Sequence, residues 1–338
     1  QPMGAFPLGE PVARQPAFSN DISGFSKLFE SVATNIAQVV QGKDDVVRLA
    51  LLCLLAEGHL LIEDVPGVGK TSLAKALAAS LECEWHRIQF TPDLLPSDVT
   101  GVNVFNRATG GFEFRAGGVF AEIVLADEIN RASPRTQSAL LEAMEERQVT
   151  VDTTTYELPT PFMVIATQNP IEHQGTYPLP DSQLDRFLMR IDMGYPARAA
   201  EISILETHAK IDPVHEIGPV ATAADVEEMI GVAREIHVAS VIKGYIVDLA
   251  AASRRHPLVE LGMSPRASLA LQRAARARAA ALGREYVIPD DVKALAGPVL
   301  SHRISLSAEA EMSGTAVSEV LAAVVATVPV PAGRSSAR

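Results

Sequence analysis

Lys70 and Thr71 directly follow Gly67-Val68-Gly69, in the run Glu63-Asp64-Val65-Pro66-Gly67-Val68-Gly69-Lys70-Thr71-Ser72. Small residues let backbone N–H groups close on phosphate oxygens, and a helix starting at Lys70 adds the positive end of its dipole. The run fits the phosphate-loop pattern G-x-x-x-x-G-K-[ST] except at Asp64, which stands where the first glycine belongs. Asp tolerates the left-handed backbone region better than most residues, so the loop can still form, with a negative charge set near phosphate at some cost. In this reading Asp64 to Ser72 wrap a nucleotide. Lys70 reaches its β- and γ-phosphates, and the Thr71 hydroxyl holds Mg²⁺.

A second chemical centre is Ile123-Val124-Leu125-Ala126-Asp127-Glu128, an apolar run ending in two acids. A buried parallel strand would present both at its carboxyl end, where open α/β sheets bind ligands. Asp127 would complete the Mg²⁺ shell and Glu128 would polarise the attacking water. Phe162 to Thr167 is a third such strand. It ends at Gln168-Asn169-Pro170, where a polar side chain could touch the γ-phosphate. Two arginines complete the set. Arg186, in Asp185-Arg186-Phe187, could stabilise charge on a transferring phosphoryl group; read alone it is a salt-bridge residue. Arg266 opens a later helix and, read alone, is a solvated first-turn arginine.

The elements that must position these residues alternate. Ile22 to Ala56 is helical, broken at Gly42. Strands are expected at His59–Glu63, Trp85–Phe90, Glu122–Ala126, Phe162–Thr167 and Phe187–Ile191, with helices at Lys70–Leu81 and Pro134–Arg147. Ser133 caps the latter and Pro134 takes its first position. This alternation predicts a parallel sheet covered on both faces. Val102–Phe105 and Phe112–Phe114 flank Thr109-Gly110-Gly111 as a β-hairpin, and Val149–Asp152 and Tyr156–Leu158 flank a second. After Ala197 the strands stop. Helices are expected at 223–236, 241–255, 266–282 and 291–300, the third started by Ser264-Pro265 and ended by Gly283, the fourth capped by Asp290.

The 338 residues suggest about two domains. Hydrophobic residues are 47% and charged residues 21%, ordinary for a globular chain. A net charge of −12 and 5% aromatics count against nonspecific nucleic-acid binding and base stacking; Arg273, Arg276 and Arg278 form the one basic helix cluster. Cys53 and Cys83 are too few for a disulfide framework and read as reduced cytoplasmic cysteines. No apolar run is long enough to span a bilayer, and no signal peptide is visible in residues 1–15.

Together these motifs resemble the AAA+ ATPases, and within them the MoxR family. The stretches that carry the resemblance are EDVPGVGKT (63–71), LADEINR (125–131), TQSALLEAMEERQVT (136–150), ATQNP (166–170), PDSQLDRF (180–187) and SPRA (264–267). The resemblance implies an α/β fold: a five-stranded parallel P-loop sheet with helices on both faces, then a small all-helical lid. The boundaries expected are a flexible tail over 1–20, a nucleotide-binding core over 21–197, a lid over 198–330 and a flexible tail over 331–338. It implies Walker A at Lys70 and Thr71, Walker B at Asp127 and Glu128, and sensor 1 at Asn169. Arg186 matches the arginine finger that acts on a neighbouring subunit's nucleotide, and Arg266 matches sensor 2, which links the lid to the γ-phosphate. The region around Val40 and Gly42 would cradle adenine. It further implies ATP/ADP with Mg²⁺, a homo-oligomeric ring, usually a hexamer, and chaperone-like action on a separate partner, often one with a von Willebrand factor A domain. The alternatives are a magnesium-chelatase ATPase subunit, an AAA+ DNA motor, and a nucleotide switch that barely hydrolyses.

Overall fold

The computed structural model describes residues 21–65, 67–169, 175–207 and 213–331. Pro66 and the tails expected over 1–20 and beyond 331 lie outside them. Two N-terminal helices, α1 (Ile22–Ala37) and α2 (Asp44–Leu55), lead into β1 (Leu60–Glu63) and α3 (Lys70–Ser80). Then come β2 (Trp85–Gln89), α4 (Pro96–Thr100), the hairpin β3 (Gly101–Asn106) and β4 (Gly111–Ala116), and β5 (Ile123–Asp127). α5 (Pro134–Glu146) is followed by the hairpin β6 (Gln148–Val151) and β7 (Thr154–Glu157), then β8 (Met163–Gln168), α6 (Asp181–Leu184) and β9 (Met189–Ile191). The rest is α7 (Arg198–Thr207), α8 (Ala223–Glu235), α9 (Ser240–Arg255), β10 (Val259–Leu261), α10 (Pro265–Ala281), α11 (Pro289–Leu300), β11 (Ser305–Leu306), α12 (Ala308–Met312) and α13 (Val317–Thr327).

The central sheet has the order β2-β5-β8-β1-β9, and every pairing is parallel. Alternate strand residues serve two cores, which is why these strands are apolar throughout. Leu60, Ile62, Ile123, Leu125 and Ile165 face α1, α2 and α3. Leu61, Val124, Ala126 and Val164 face α4 and α5. The first core continues without a break into α8 to α11: α1 and α2 pack against α8 and α10, while α11 packs directly on β9. Alanines make that approach close: Ala267, Ala270, Ala274 and Ala277 of α10 are buried, and Ser26 Oγ donates to Ala281 O at 2.8 Å.

Ser133 and Ser264 cap α5 and α10 as expected, each accepting from the N–H three residues on. Three expectations need correction. The C-terminal part is not all helical, because β10 and β11 pair antiparallel within it. α7, α12 and α13 are further helices there. α11 starts at Pro289, and its first turn is closed by Asp291, which accepts from Ile288 N at 2.9 Å, rather than by Asp290.

Both hairpins form, and they touch. Phe114 stacks on Tyr156 with ring centroids 3.9 Å apart, and Asn103 Nδ2 donates to Asp152 Oδ2 at 2.7 Å. Phe105 and Phe112 meet edge to face on the first hairpin and stay exposed. Cys53 is buried, Cys83 half-buried, and both are free thiols. Burial pushes both thiols up, Cys83 to about 12. Among the described residues no helix is long and apolar enough to cross a membrane.

Candidate functional site

The carboxyl ends of β1, β5 and β8 sit side by side, and the loops that leave them converge. Gly67, Gly69, Lys70, Thr71, Ser72, Asp127, Glu128 and Asn169 line one cavity of about 400 Å³, with Arg87, Thr167 and Gln168. The phosphate loop turns on glycines: Gly67 has φ +85° and Gly69 φ +99°, conformations that cost a side chain about 1–2 kcal/mol. Lys70 Nζ donates to Asp64 O at 2.6 Å. Burial lowers the Lys70 pKa, opposed by Asp64, Asp127 and Glu128.

Asp64 does not use the left-handed conformation that it could tolerate. Its carboxylate turns into the backbone instead. Oδ1 accepts from its neighbour Val65 N at 2.7 Å, and Oδ2 accepts from Gly194 N, just beyond β9. The charge that looked costly beside phosphate is therefore engaged by two backbone donors, and it ties the loop to the end of the edge strand.

The two acids are held by residues that sequence reading did not single out. Parallel register sets Thr167 beside Asp127, and its hydroxyl donates to Asp127 Oδ1 at 2.6 Å. The hydroxyl oxygen of Thr167 in turn accepts from Glu128 N at 2.8 Å. Arg87 Nε and Nη2 donate to Asp127 Oδ2 at 3.2 and 2.5 Å. Glu128 has φ 56°, a left-handed conformation for a residue with a side chain. Its Oε2 accepts from Gln89 Nε2 at 2.8 Å and Arg131 Nη1 at 2.9 Å. Thr71 and Asp127 offer a hydroxyl and a carboxylate on one cavity, hard oxygen donors of the kind Mg²⁺ takes. Gln168 Nε2, buried and without a hydrogen-bond partner among the described residues, adds a spare donor suited to a phosphate oxygen.

An adjoining cavity of about 280 Å³ shares Gly67, Gly69 and Ser72 with the first and is also lined by Val39, Val40, Gln41, Val68 and Pro196. Val40, beside which adenine was expected, lines this second cavity. Gly42 lines neither cavity. It turns the chain between α1 and α2 at φ +70°, with Ala200 Cβ 2.8 Å from where its own Cβ would stand. Val65 also lines neither cavity.

Arg186 lies at the opposite edge of the sheet. Leu60, the first residue of β1, pairs with Met189, the first residue of β9, and Arg186 precedes Met189. The four residues of β1 span about 10 Å at ~3.3 Å per residue, so the amino-terminal edge is that far from the edge carrying the loop. Arg186 Nη1 donates to Leu141 O at 2.7 Å and lies 3.2 Å from Glu145 Oε2. Arg266 does not reach this chain's phosphate loop. It sits with Arg186, 3.1 Å from the other Glu145 oxygen and 3.6 Å from Asp185 Oδ2. Both arginines line a separate cleft, along with Arg147, Arg273 and Arg303. Two of the basic trio of α10 are thus engaged: Arg273 lines this cleft, and Arg278 Nε is 3.5 Å from Asp291 Oδ1.

Residues 59–189 match the family model described as "ATPase family associated with various cellular activities (AAA)", and residues 251–324 match the AAA lid domain. YeaC of Bacillus subtilis is 49% identical over 311 residues, covering 92% of this chain and 97% of that protein. Chaperone MoxR1 of Mycobacterium tuberculosis is 38% identical, covering 89% and 82%. The chain belongs to the MoxR family of AAA+ ATPases. A crystal structure of a candidate ATPase from Cytophaga hutchinsonii superposes with a TM-score of 0.86 at 36% identity, covering 92% of this MoxR-family chain and 97% of that one. The sheet, the phosphate loop and the helical lid are those of an AAA+ fold, and the chain is an ATP hydrolase.

Proposed function

We propose that this MoxR-family chain is one subunit of a homo-oligomeric ring, a hexamer, that hydrolyses ATP between neighbouring subunits and uses the cycle to remodel or activate a separate protein. One observation carries the reading: the phosphate loop and Arg186 stand on opposite edges of one sheet, so a phosphate at Lys70 is out of reach of this chain's own Arg186. An AAA+ finger at that place completes its neighbour's site.

The residues then divide the work. Loop N–H groups, Lys70 and Ser72 bind the β- and γ-phosphates, and the cavity beside Val40 takes adenine. Mg²⁺, held by Thr71 and Asp127, would neutralise charge on those phosphates. Glu128 orients and polarises the attacking water, with its backbone fixed through Thr167. Asn169 and Gln168 contact the γ-phosphate side. Arg186 and Arg266, which share Glu145 in the free subunit, face the nucleotide of the next subunit. The core of 21–197 and the lid of 198–330 change their angle with turnover, and the coupled hairpins with exposed Phe105 and Phe112 carry that movement to the partner. The name of Chaperone MoxR1 supports a protein partner. The resemblance points to one with a von Willebrand factor A domain, met in the cytoplasm.

The test is ATP turnover against protein concentration for wild type and Arg186→Ala, with assembly followed by light scattering. Specific activity rises with assembly, and Arg186→Ala lowers it by about 10³-fold or more while the ring persists. Equal turnover by monomers, or a silent Arg186→Ala, sinks the shared-site reading.

A further inference from the structure

We propose that Arg303 is the positioning residue for Arg186: it holds the finger segment, and so couples the presentation of the finger to the position of the lid. This rests on the reading of Arg186 as a finger that acts on the neighbouring subunit.

Arg303 follows α11, inside the stretch that matches the AAA lid, and it is buried. Its planar fork donates five hydrogen bonds. Nε reaches Asp185 Oδ1 at 2.6 Å. Nη2 reaches Asp185 O at 3.1 Å and Phe187 O at 2.7 Å. Nη1 reaches Leu188 O at 3.0 Å and Val299 O at 2.6 Å. Four of the five end on Asp185, Phe187 and Leu188, the residues on either side of Arg186. His302 Nε2 adds a hydrogen bond to Phe187 O at 2.8 Å. The segment needs such support because it lies between the end of α6 at Leu184 and the start of β9 at Met189, outside both.

In the free subunit alternating charges continue from this segment to the finger. The Asp185 carboxylate faces Arg303 with one oxygen and Arg266 with the other. Glu145 then faces Arg266 with one oxygen and Arg186 with the other. Arg303 thus fixes the backbone on either side of Arg186, and that backbone grip, not the Glu145 end of the ion chain, is what positions the finger. Lysine cannot replace it, because an ammonium is a point charge that cannot span acceptors laid out for a planar fork. A misplacement of about 1 Å in a catalytic group can cost about 10²-fold in rate, so loss of the fork is read in kcat.

The test uses mixed rings. Arg303→Lys is expected to assemble and to keep its KM for ATP, with kcat down by about 10- to 100-fold. Mixed with Glu128→Gln subunits, whose own sites are dead but whose fingers are intact, it regains activity. In a random equal mixture about a quarter of the interfaces pair a live site with a sound finger. Arg186→Ala mixed in the same way is the control. If that control regains nothing, the shared-site reading falls and takes this inference with it. If the control recovers while Arg303→Lys does not, or if Arg303→Lys raises KM and leaves kcat alone, only this inference is overturned. Should Arg303→Lys fail to fold, Asp185→Asn weakens the same contact from the other side and carries the same expectation; wild-type turnover in Asp185→Asn overturns the proposal.

Discussion

Replacing Thr167 by valine removes one hydroxyl and preserves shape, yet that hydroxyl serves both acids of the site. It donates to Asp127 Oδ1 at 2.6 Å and accepts from Glu128 N at 2.8 Å, at a residue only 1% exposed. A hydrogen bond to a charged group contributes about 1.5–3 kcal/mol, and stranding a backbone N–H costs about 1–3 kcal/mol. Stability should therefore fall by about 3 kcal/mol, seen as a lower urea midpoint at unchanged slope. The kinetic effect is the more telling one. Glu128 sits at φ 56°, where a side chain costs about 1–2 kcal/mol, and the bond from its N–H to Thr167 is part of what keeps it there. Freed of that bond, its backbone can relax and carry the carboxylate away from the water that it polarises in the proposed mechanism. kcat should drop at least tenfold, about 1.4 kcal/mol, while ATP affinity stays near wild type because the loop contacts are untouched. Thr167→Ser keeps the hydroxyl and should stay close to wild type. Steady-state kinetics with fluorescent-nucleotide titration measure both quantities. A Thr167→Val kcat within twofold of wild type would refute the reasoning.

Buried and engaged charges give two more expectations. Asp64→Gly restores the phosphate-loop pattern but unties Val65 N and Gly194 N, so it should weaken ATP binding by several-fold; tighter binding by isothermal titration would mean the carboxylate harms the site. His59 and His302 are buried and neutral, with pKa values lowered to about 4 and about 3 by burial, against about 6.5 unfolded. Their stabilising contribution is complete above pH 6.5 and is lost as pH falls through that value towards 4, about 2 kcal/mol for each histidine by pH 5. Urea midpoints at pH 7.5 and 5 measure the loss, and His302→Asn should reduce its size; a flat profile would mean these rings do not control acid stability.

The sequence showed the chemistry where a motif is contiguous. The phosphate loop, the acids at 127 and 128, and the capping residues Ser133 and Ser264 all announce themselves within a few neighbours. What it hid depends on register. Arg87 and Thr167 each lie 40 residues from Asp127, and only the side-by-side order of β2, β5 and β8 brings the three together. Asp64 misled for a similar reason, because its partner Gly194 is 130 residues away. In the C-terminal part, α13 is apolar without a break from Val320 to Ala326, which leaves little 3.6-residue contrast. The strands β10 and β11 are three and two residues long, too short for alternation to register.

In the proposed ring, the contacts of Arg186 bear on how a finger can be stored in a free subunit without blunting its use. Its guanidinium is 28% exposed and is already engaged by Leu141 O and Glu145. If those contacts were strong, assembly would have to break them before the neighbour's phosphate gained anything. An ion pair this close to solvent contributes only about 0–1 kcal/mol, and one ordinary hydrogen bond about 1 kcal/mol more. A finger acting in trans lowers the barrier by about 4–7 kcal/mol, the equivalent of 10³–10⁵ in rate. The exchange therefore favours the phosphate by several kcal/mol, and Glu145 keeps Arg266 as a partner when Arg186 leaves. Glu145→Gln should accordingly leave assembled turnover within about threefold of wild type. A loss as deep as that of Arg186→Ala in the same assay would mean that Glu145 aims the guanidinium at the nucleotide instead of storing it.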